Sequence, residues 1–398
     1  MHPSLSAILS AHLLDRSGGF RKKVLASARR KAEADFWDRD RIEAAQTQSL
    51  AILLRHAAGS VDAWREHLPA SDEINTTNAR ALLGQLPVMT RQQIQESSER
   101  YQASNVSPTF TNSTGGSTGT PMNFKIDRQR QIEGEASHIW ANGLSGWRYG
   151  ERIAMLWGAD QDVQSARSSL RNRIENIRWF NAFNMGEGRM KQFHQELSTF
   201  RPHLLVAYAG SAFLFARFLE AEKCRPTYPL RGIVTSAEVI TETMRDKVQT
   251  VFGKPVFDRY GSREFGPVAA ESTAHAGLHV NELDVLNEID SPDPYRQPGP
   301  LRITYLKNHA MPFIRYETGD LARFAPDATS SCGRRTIRLA PIVGRESDTI
   351  RTASGELIHG EYFTHLLYGV DAVKQFQFVQ ESLTEYRLLL VGRRDRDK

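Results

Sequence analysis

Thr111-Asn-Ser-Thr-Gly-Gly-Ser-Thr-Gly-Thr-Pro121 is a hydroxyl- and glycine-dense loop. Its glycines let the backbone approach a ligand closely and adopt positive φ. Ser113, Thr114, Ser117 and Thr118 set hydroxyl donors beside backbone N–H groups, which together suit an anion-binding nest around a polyphosphate. The Gly-Lys-Ser/Thr ending of a Walker A loop is missing, which argues against a P-loop NTPase. A nucleotide-dependent enzyme is the leading expectation.

Working outward, residues 20–66 carry a helical pattern, with Leu50, Leu53, Leu54 and Ala57 on one core-facing stripe. The basic residues Arg21, Lys22, Lys23, Arg29, Arg30 and Lys31 read as a solvated helix. Thr90 suits a helix N-cap, and a helix is expected over Arg128 to Leu144. Beyond it, apolar runs at Arg152–Gly158, His203–Tyr208, Leu230–Ser236 and Pro255–Asp258 alternate with amphipathic helical stretches. That alternation indicates βαβ units and a largely parallel sheet in an α/β protein. From Gly277 the pattern changes to shorter β segments at Leu278–Val285, Leu301–Tyr305 and Phe313–Tyr316. A last short unit is expected to hold a hairpin around Ile350 and Leu357, a helix near Glu361–Tyr368, and strands at Val373–Gln380 and Tyr386–Val391.

The 398 residues allow two or more structural units, and 40% hydrophobic with 24% charged residues is an ordinary soluble composition. The net charge of +5 favours anionic ligands, but the basic residues are interspersed with acids, so nucleic acid is not the expected partner. Two distant cysteines, Cys224 and Cys332, suit a reducing cytoplasm and imply no disulfide framework. The first 20 residues do not read as a signal peptide. No apolar stretch approaches the roughly 20 residues that span a bilayer.

Three further motifs stand in a fixed order behind the loop. Asp258-Arg-Tyr-Gly-Ser-Arg-Glu264-Phe-Gly266 follows an expected strand, at the end where α/β sheets collect ligands. Tyr260 could stack on a purine and Glu264 could hold Mg²⁺; taken alone, a loop tyrosine and a surface glutamate are the better reading. Arg315-Tyr-Glu-Thr-Gly-Asp320 ends another β segment, where Asp320 could accept bonds from ribose hydroxyls or simply belong to a turn. Val343-Gly-Arg-Glu-Ser-Asp348 suits a hinge or a passive linker into the C-terminal unit.

These four elements, in this order, resemble the adenylate-forming superfamily of acyl-CoA synthetases. Tyr260–Glu271, Gly277–Ile289, Leu86–Arg91 and Val373–Gln380 narrow the resemblance to the branch of phenylacetate–CoA ligases, coenzyme F390 synthetases and CapK-like proteins, from about residue 45 onward. The resemblance implies a large N-terminal domain, 1–343, with helices in 1–100 and mixed β-sheets flanked by helices. A small α+β lid domain, 344–398, would follow. It implies an acid–thiol ligase in which ATP and a carboxylate give acyl-AMP and pyrophosphate, and the acyl group then passes to coenzyme A or another acceptor.

By resemblance, Ser113, Thr114, Gly115, Gly116, Ser117, Thr118, Gly119 and Thr120 hold the β- and γ-phosphates, and Thr118 acts in catalysis. Ser236, Ala237 and Glu238 line the adenine pocket; Asp258, Arg259, Tyr260 and Gly261 flank the adenine and the nascent adenylate. Glu264 binds Mg²⁺, Asp320 binds ribose, and Arg345 sits catalytically at the hinge. Trp140, Tyr208, Ala209 and Gly210 are the acyl-pocket candidates. A small carboxylic acid, coenzyme A, a carrier protein or an amine are the expected partners, and a homodimer is open.

Two departures follow. Related ligases bring a lysine from the end of the lid into the site, whereas this sequence ends where that domain is expected to be half built, and Lys398 lies in a polar tail. A nucleotide-binding pseudoenzyme, or an acyl-protein synthetase loading a carrier protein, are therefore alternatives. Some relatives also bind zinc through cysteines near the stretches that here carry His275, His279 and Cys332. With Ser272 and Ser331 in place of thiols, a structural turn is expected instead.

Overall fold

The computed structural model describes residues 19–114, 121–158, 170–182, 185–326, 331–345, 349–351, 357–359 and 373–392. Its central feature is an eight-stranded mixed sheet. The strand order is Arg338–Leu339, Leu278–Val280, Gly266–Glu271, Val256–Ser262, Gly232–Ser236, Leu204–Tyr208, Ile153–Leu156 and Ile177–Phe180. The last five are mutually parallel, and the first three join antiparallel at Val256–Ser262. The expected βαβ alternation accounts for the parallel part, and the short β segments after it supply the antiparallel edge.

Alternate residues of the parallel strands face opposite sides, as the two-residue repeat of a strand requires. Ala154, Leu156, Leu205, Ala207 and Ile233 pack with Phe193, Leu197, Phe215, Leu219 and Phe252 from helices Glu187–Phe200, Ala209–Ala221 and Glu242–Phe252. Ile153, Leu204, Val206, Val234 and Phe257 pack on the other side with Val24, Ala28, Ile132, Ala136 and Ile139, from helices Phe20–Ala34 and Arg128–Leu144. Both faces are covered, which is the setting in which parallel sheets occur.

A second, four-stranded antiparallel sheet is ordered Val285–Ile289, Gly299–Tyr305, Tyr316–Ala322 and Gly344–Arg345. A third core joins it to helix Arg39–Ser60 through Leu50, Leu53, Leu54, Leu301, Ile303 and Phe313. The helical pattern read across residues 20–66 is three helices, Phe20–Ala34, Arg39–Ser60 and Asp62–Arg65, because Asp38 caps the second by accepting from Arg41 N at 2.8 Å. Thr90 caps helix Arg91–Ser97 in a capping box with Gln93.

Three details depart from the sequence reading. The Phe313–Tyr316 segment begins its strand only at Tyr316 and runs on to Ala322, so Asp320 lies within a strand. Positive φ at Arg315 (51°) and Gly319 (77°), with a register shift opposite at Pro300/Arg302, lets the strand absorb what reads locally as a turn. Leu278–Val285 is broken after Val280, where a turn over 281–284 brings Asp284 inward. The basic stretch at residues 21–31 is not wholly solvated: Arg21, Val24, Ala28, Lys31 and Ala34 form the buried stripe of its helix.

Those buried cations are paired. Lys31 Nζ lies 2.5 Å from both Glu133 Oε2 and Asp284 Oδ1. Arg21 meets Glu135 at 3.1 Å and Glu175 at 2.9 Å. The two carboxylates around Lys31 hold its ammonium pKa above the ordinary value despite burial. The C-terminal hairpins are Thr349–Arg351 with Leu357–His359 and Val373–Gln380 with Tyr386–Gly392, as the sequence indicates. The expected helix near Glu361–Tyr368 and the tail with Lys398 lie outside the described residues.

Replacing Lys31 with Met leaves Glu133 and Asp284 buried against each other, so Lys31→Met is expected to lower unfolding free energy by about 3–5 kcal/mol. Urea unfolding checks this; an unchanged midpoint contradicts it.

Candidate active site

The C-terminal ends of the parallel strands open into a cleft of about 2090 Å³, bounded also by the four-stranded sheet and the base of the Thr111–Pro121 loop. That loop springs from the hairpin of Phe110–Ser113 and Asn123–Ile126. Thr114 closes its base: its N–H donates to Met122 O at 2.9 Å, and its Oγ1 accepts from Met122 N at 2.9 Å. Asn112 and Thr114 line the cleft. Ser113, between them, does not line it; its carbonyl accepts from Arg263 Nη1 at 3.3 Å. Gly115, Gly116, Ser117, Thr118, Gly119 and Thr120 lie outside the described residues.

The Asp258–Gly266 motif forms the end of strand Val256–Ser262 and the turn into Gly266–Glu271. Gly261 is there for contact: a Cβ on it would sit 2.3 Å from Gly266 O. Arg130, from the helix after the loop, clamps this turn from below, with Nε donating to Glu264 O at 3.0 Å and Nη2 to Arg263 O at 3.3 Å. Glu264 is buried within the cleft wall, and Tyr316 donates its hydroxyl to Oε1 at 3.4 Å. Burial and that carboxylate push the Tyr316 phenol pKa up.

Tyr260 donates its hydroxyl to Asp320 Oδ2 at 2.7 Å. Asp320 is paired in register with Arg345, whose Nε lies 3.8 Å from Oδ1. Burial, then the Asp320 charge, raises the Tyr260 pKa well above the phenol range, so Tyr260 remains a donor. Sequence positions 260, 320 and 345 thereby meet around one carboxylate.

On the neighbouring strand, Ser236 donates Oγ to Arg259 O at 2.8 Å. Ala237 follows at φ 68°, a conformation that costs a residue with a side chain, and it turns Glu238 across the top of the sheet. Glu238 Oε2 accepts from Gly210 N at 2.7 Å, at the start of helix Ala209–Ala221, where free N–H groups favour a carboxylate. Asp258 faces the cleft; burial and the nearby Glu271 push its carboxyl pKa up to about 7, against the opposing Arg245.

Of the acyl-pocket candidates, Tyr208 and Gly210 line the cleft. Trp140 does not. It is buried, and its indole N–H donates to Asp35 at 3.1 Å, so its helix face points into the core and the substrate assignment is corrected to a packing role. Ala209 is likewise buried behind Tyr208 and off the cleft. Two aromatic wall residues were missed by sequence reasoning: Trp157, stacked on Tyr208 at 4.2 Å and 18°, and Trp179. Their positions just past or within strand ends were the available signal. Near the antiparallel edge, His279 Nδ1 is 2.9 Å from Thr336 Oγ1, and its Nε2 is 3.6 Å from Cys332 Sγ. Among the described residues no three His, Cys, Asp or Glu side chains gather to hold a metal ion.

No family model matches the chain. Protein CapK of Staphylococcus aureus is 23% identical over 326 residues, 80% of this chain and 71% of that one. A phenylacetate–coenzyme A ligase of Escherichia coli is 25% identical over 78% of this chain and 72% of the relative; one from Thermus thermophilus is 31% identical over 39% and 36%. A solved 2-hydroxyisobutyryl-CoA ligase, in the postadenylation state with an acyl-AMP, superposes with TM-score 0.69 at 20% identity, covering 87% of this chain and 77% of the other. The fold is that of the adenylate-forming ligases. Its sequence relatives include a CapK protein and phenylacetate–CoA ligases.

Asp258 supplies a pH test. Its folded pKa is raised above the unfolded value near 4, so the native state binds the extra proton and stability falls as pH rises from about 4 through 7. Asp258→Asn is therefore expected to gain stability over wild type at pH 8 relative to pH 5 in thermal unfolding; an equal difference at both pH values contradicts the shift.

Proposed function

We propose that this protein is an ATP- and Mg²⁺-dependent carboxylate-activating ligase that forms an acyl-adenylate and passes the acyl group to a thiol or amine. The observation that carries this reading is the convergence of Thr114, Tyr260, Glu264, Asp320 and Arg345 on one cleft at the strand ends. These residues come from four stretches far apart in sequence, and packing a polyphosphate, a purine nucleoside and an acid together needs such a set. The relatives support it: a CapK, phenylacetate–CoA ligases, and a CoA ligase holding an acyl-AMP.

In the first step a carboxylate oxygen attacks the α-phosphorus of ATP, the α–β phosphoanhydride bond breaks, and pyrophosphate leaves. In the second, the acceptor attacks the acyl carbon, loses its proton, and AMP departs. The substrates supply both nucleophiles, so the protein's task is position and charge. The loop from Thr114 to Thr120 would hold the β- and γ-phosphates, with Ser113 at its base outside the cleft. Tyr260 and the Ser236-Ala237-Glu238 turn would flank the adenine, and Asp320 would accept from the ribose hydroxyls while bonded to Tyr260. Mg²⁺, a hard cation that one carboxylate and phosphate oxygens can hold, fits Glu264 and would neutralise charge on the leaving pyrophosphate. Arg345, at the passage from a large unit (1–343) to a small one (344–398), would act as the pivot. The aromatic wall of Trp157 and Tyr208 would receive the acyl group. Coenzyme A, a carrier-protein thiol and an amine are the candidate acceptors.

A pyrophosphate-release screen over aryl, fatty and hydroxy acids, with and without coenzyme A, tests the reading. At least one acid is expected to drive ATP-dependent release, and Glu264→Gln to lower kcat about 10²-fold. ATP binding with no release for any acid would leave a nucleotide-binding pseudoenzyme.

A further inference from the structure

The cleft contains a charge arrangement beyond the phosphate, ribose and metal contacts, built partly from Arg259, which the resemblance sets beside the nascent adenylate. Arg130 and Arg259 both line the cleft, and they are only 6% and 5% exposed. Arg130 spends its hydrogen bonds on the carbonyls of Glu264 and Arg263 and lies 5.1 Å from the centre of the Tyr305 ring. Arg259 Nη1 donates to the amide oxygen of Asn142 at 3.2 Å. Neither guanidinium forms an ion pair with a described residue. Arg21, also buried and lining the cleft, is by contrast paired with Glu135 at 3.1 Å and Glu175 at 2.9 Å.

Two buried guanidiniums without an ion-pair partner bring positive charge to the cleft, a state that a bound anion would stabilise. The charge acting on Arg259 comes from Asp258, whose own carboxyl is raised to about 7 and so is partly neutral at physiological pH. Burial accordingly pulls the Arg259 pKa down to about 10. His138, one helical turn beyond Gly134, opens into the same cleft. Its ring is exposed to the cleft yet lies deep in the protein, where burial and the charges of Arg259 and Arg130 push its pKa down to about 3. The imidazole is thus neutral and free to donate one N–H beside the two cations. Gly134 leaves the slot for this set, because a Cβ there would meet Arg130 Nη1 at 2.2 Å.

We propose that Arg130, Arg259 and His138 form a carboxylate-binding site in the floor of the cleft. A planar two-oxygen anion matches the guanidinium fork. That the carboxylate belongs to the acid being activated rests on the ligase reading. It is either the reacting carboxylate or the second carboxylate of a dicarboxylic acid.

The test uses the full chain without ATP, titrated with acetate and with a series of short dicarboxylates, following the His138 ring C–H signals of the wild type by NMR and the binding heat of wild type and variants by calorimetry. Saturable shifts are expected, and Arg259→Gln should weaken the affinity about tenfold or more. His138→Leu, a change on the open cleft surface, should weaken it comparably and keeps the test decisive if Arg259→Gln does not fold. Pyrophosphate release then separates the sources: a raised KM for every acid in His138→Leu marks the reacting carboxylate, whereas a raised KM for diacids alone marks the second one. If neither acetate nor any dicarboxylate moves the His138 signals, or if both variants bind as wild type does, the site is overturned. That outcome with pyrophosphate release intact leaves the ligase reading standing.

Discussion

The bond from the Tyr260 hydroxyl to the Asp320 carboxylate is the constraint on which the cleft depends. Tyr260 ends a strand of the eight-stranded sheet and Asp320 lies within the four-stranded one, so the contact fixes one sheet's edge against the other. Arg345, opposite Asp320 in register, holds the carboxylate from the other side. Because burial keeps the phenol protonated, the bond is charge-assisted and stays in one donor direction. Asp320 keeps one face committed to the protein, and its remaining acceptor capacity is what the proposed ribose contact uses.

A second layer of constraint comes from buried charge. Helix Phe20–Ala34 reaches helix Arg128–Leu144 through Lys31 with Glu133 and Asp284, and through Arg21 with Glu135 and Glu175. Helix Arg128–Leu144 in turn carries Arg130, which holds the carbonyls of Arg263 and Glu264. The turn bearing the proposed metal-binding carboxylate is therefore anchored, through two steps, to the N-terminal helix. Breaking a buried ion pair by removing one partner is costly, which gives this chain of contacts a stiffness that apolar packing alone would not fix in direction.

Much of this was legible because it is local. The loop's start at Thr114 reaches the cleft, and Gly261 and Glu264 sit where a strand turns, as the local sequence suggests. The alternation of apolar runs and amphipathic helices gives the parallel half of the large sheet. What escaped is what depends on facing. Trp140 and His138 lie two residues apart on one helix, and spacing alone does not say that the first enters the core while the second opens to the cleft. Arg21 and Lys31 read as solvated because charge ordinarily marks a surface; their carboxylate partners are 102 to 253 residues away in the chain. Gly319 reads as a turn, yet its positive φ is absorbed inside a strand. The stack of Trp157 on Tyr208 needs two neighbouring strands to be aligned in register before it exists.

The central claim is that the Tyr260, Glu264, Asp320 and Arg345 cleft makes an acyl-adenylate. Incubating the protein with ATP, Mg²⁺ and a mixture of carboxylic acids, then analysing the protein-bound fraction by mass spectrometry, tests it most directly. The account predicts a bound acyl-AMP that is absent without acid and absent from Asp320→Ala. Bound ATP with no acyl-AMP, or an acyl-AMP yield unchanged in Asp320→Ala, would contradict it.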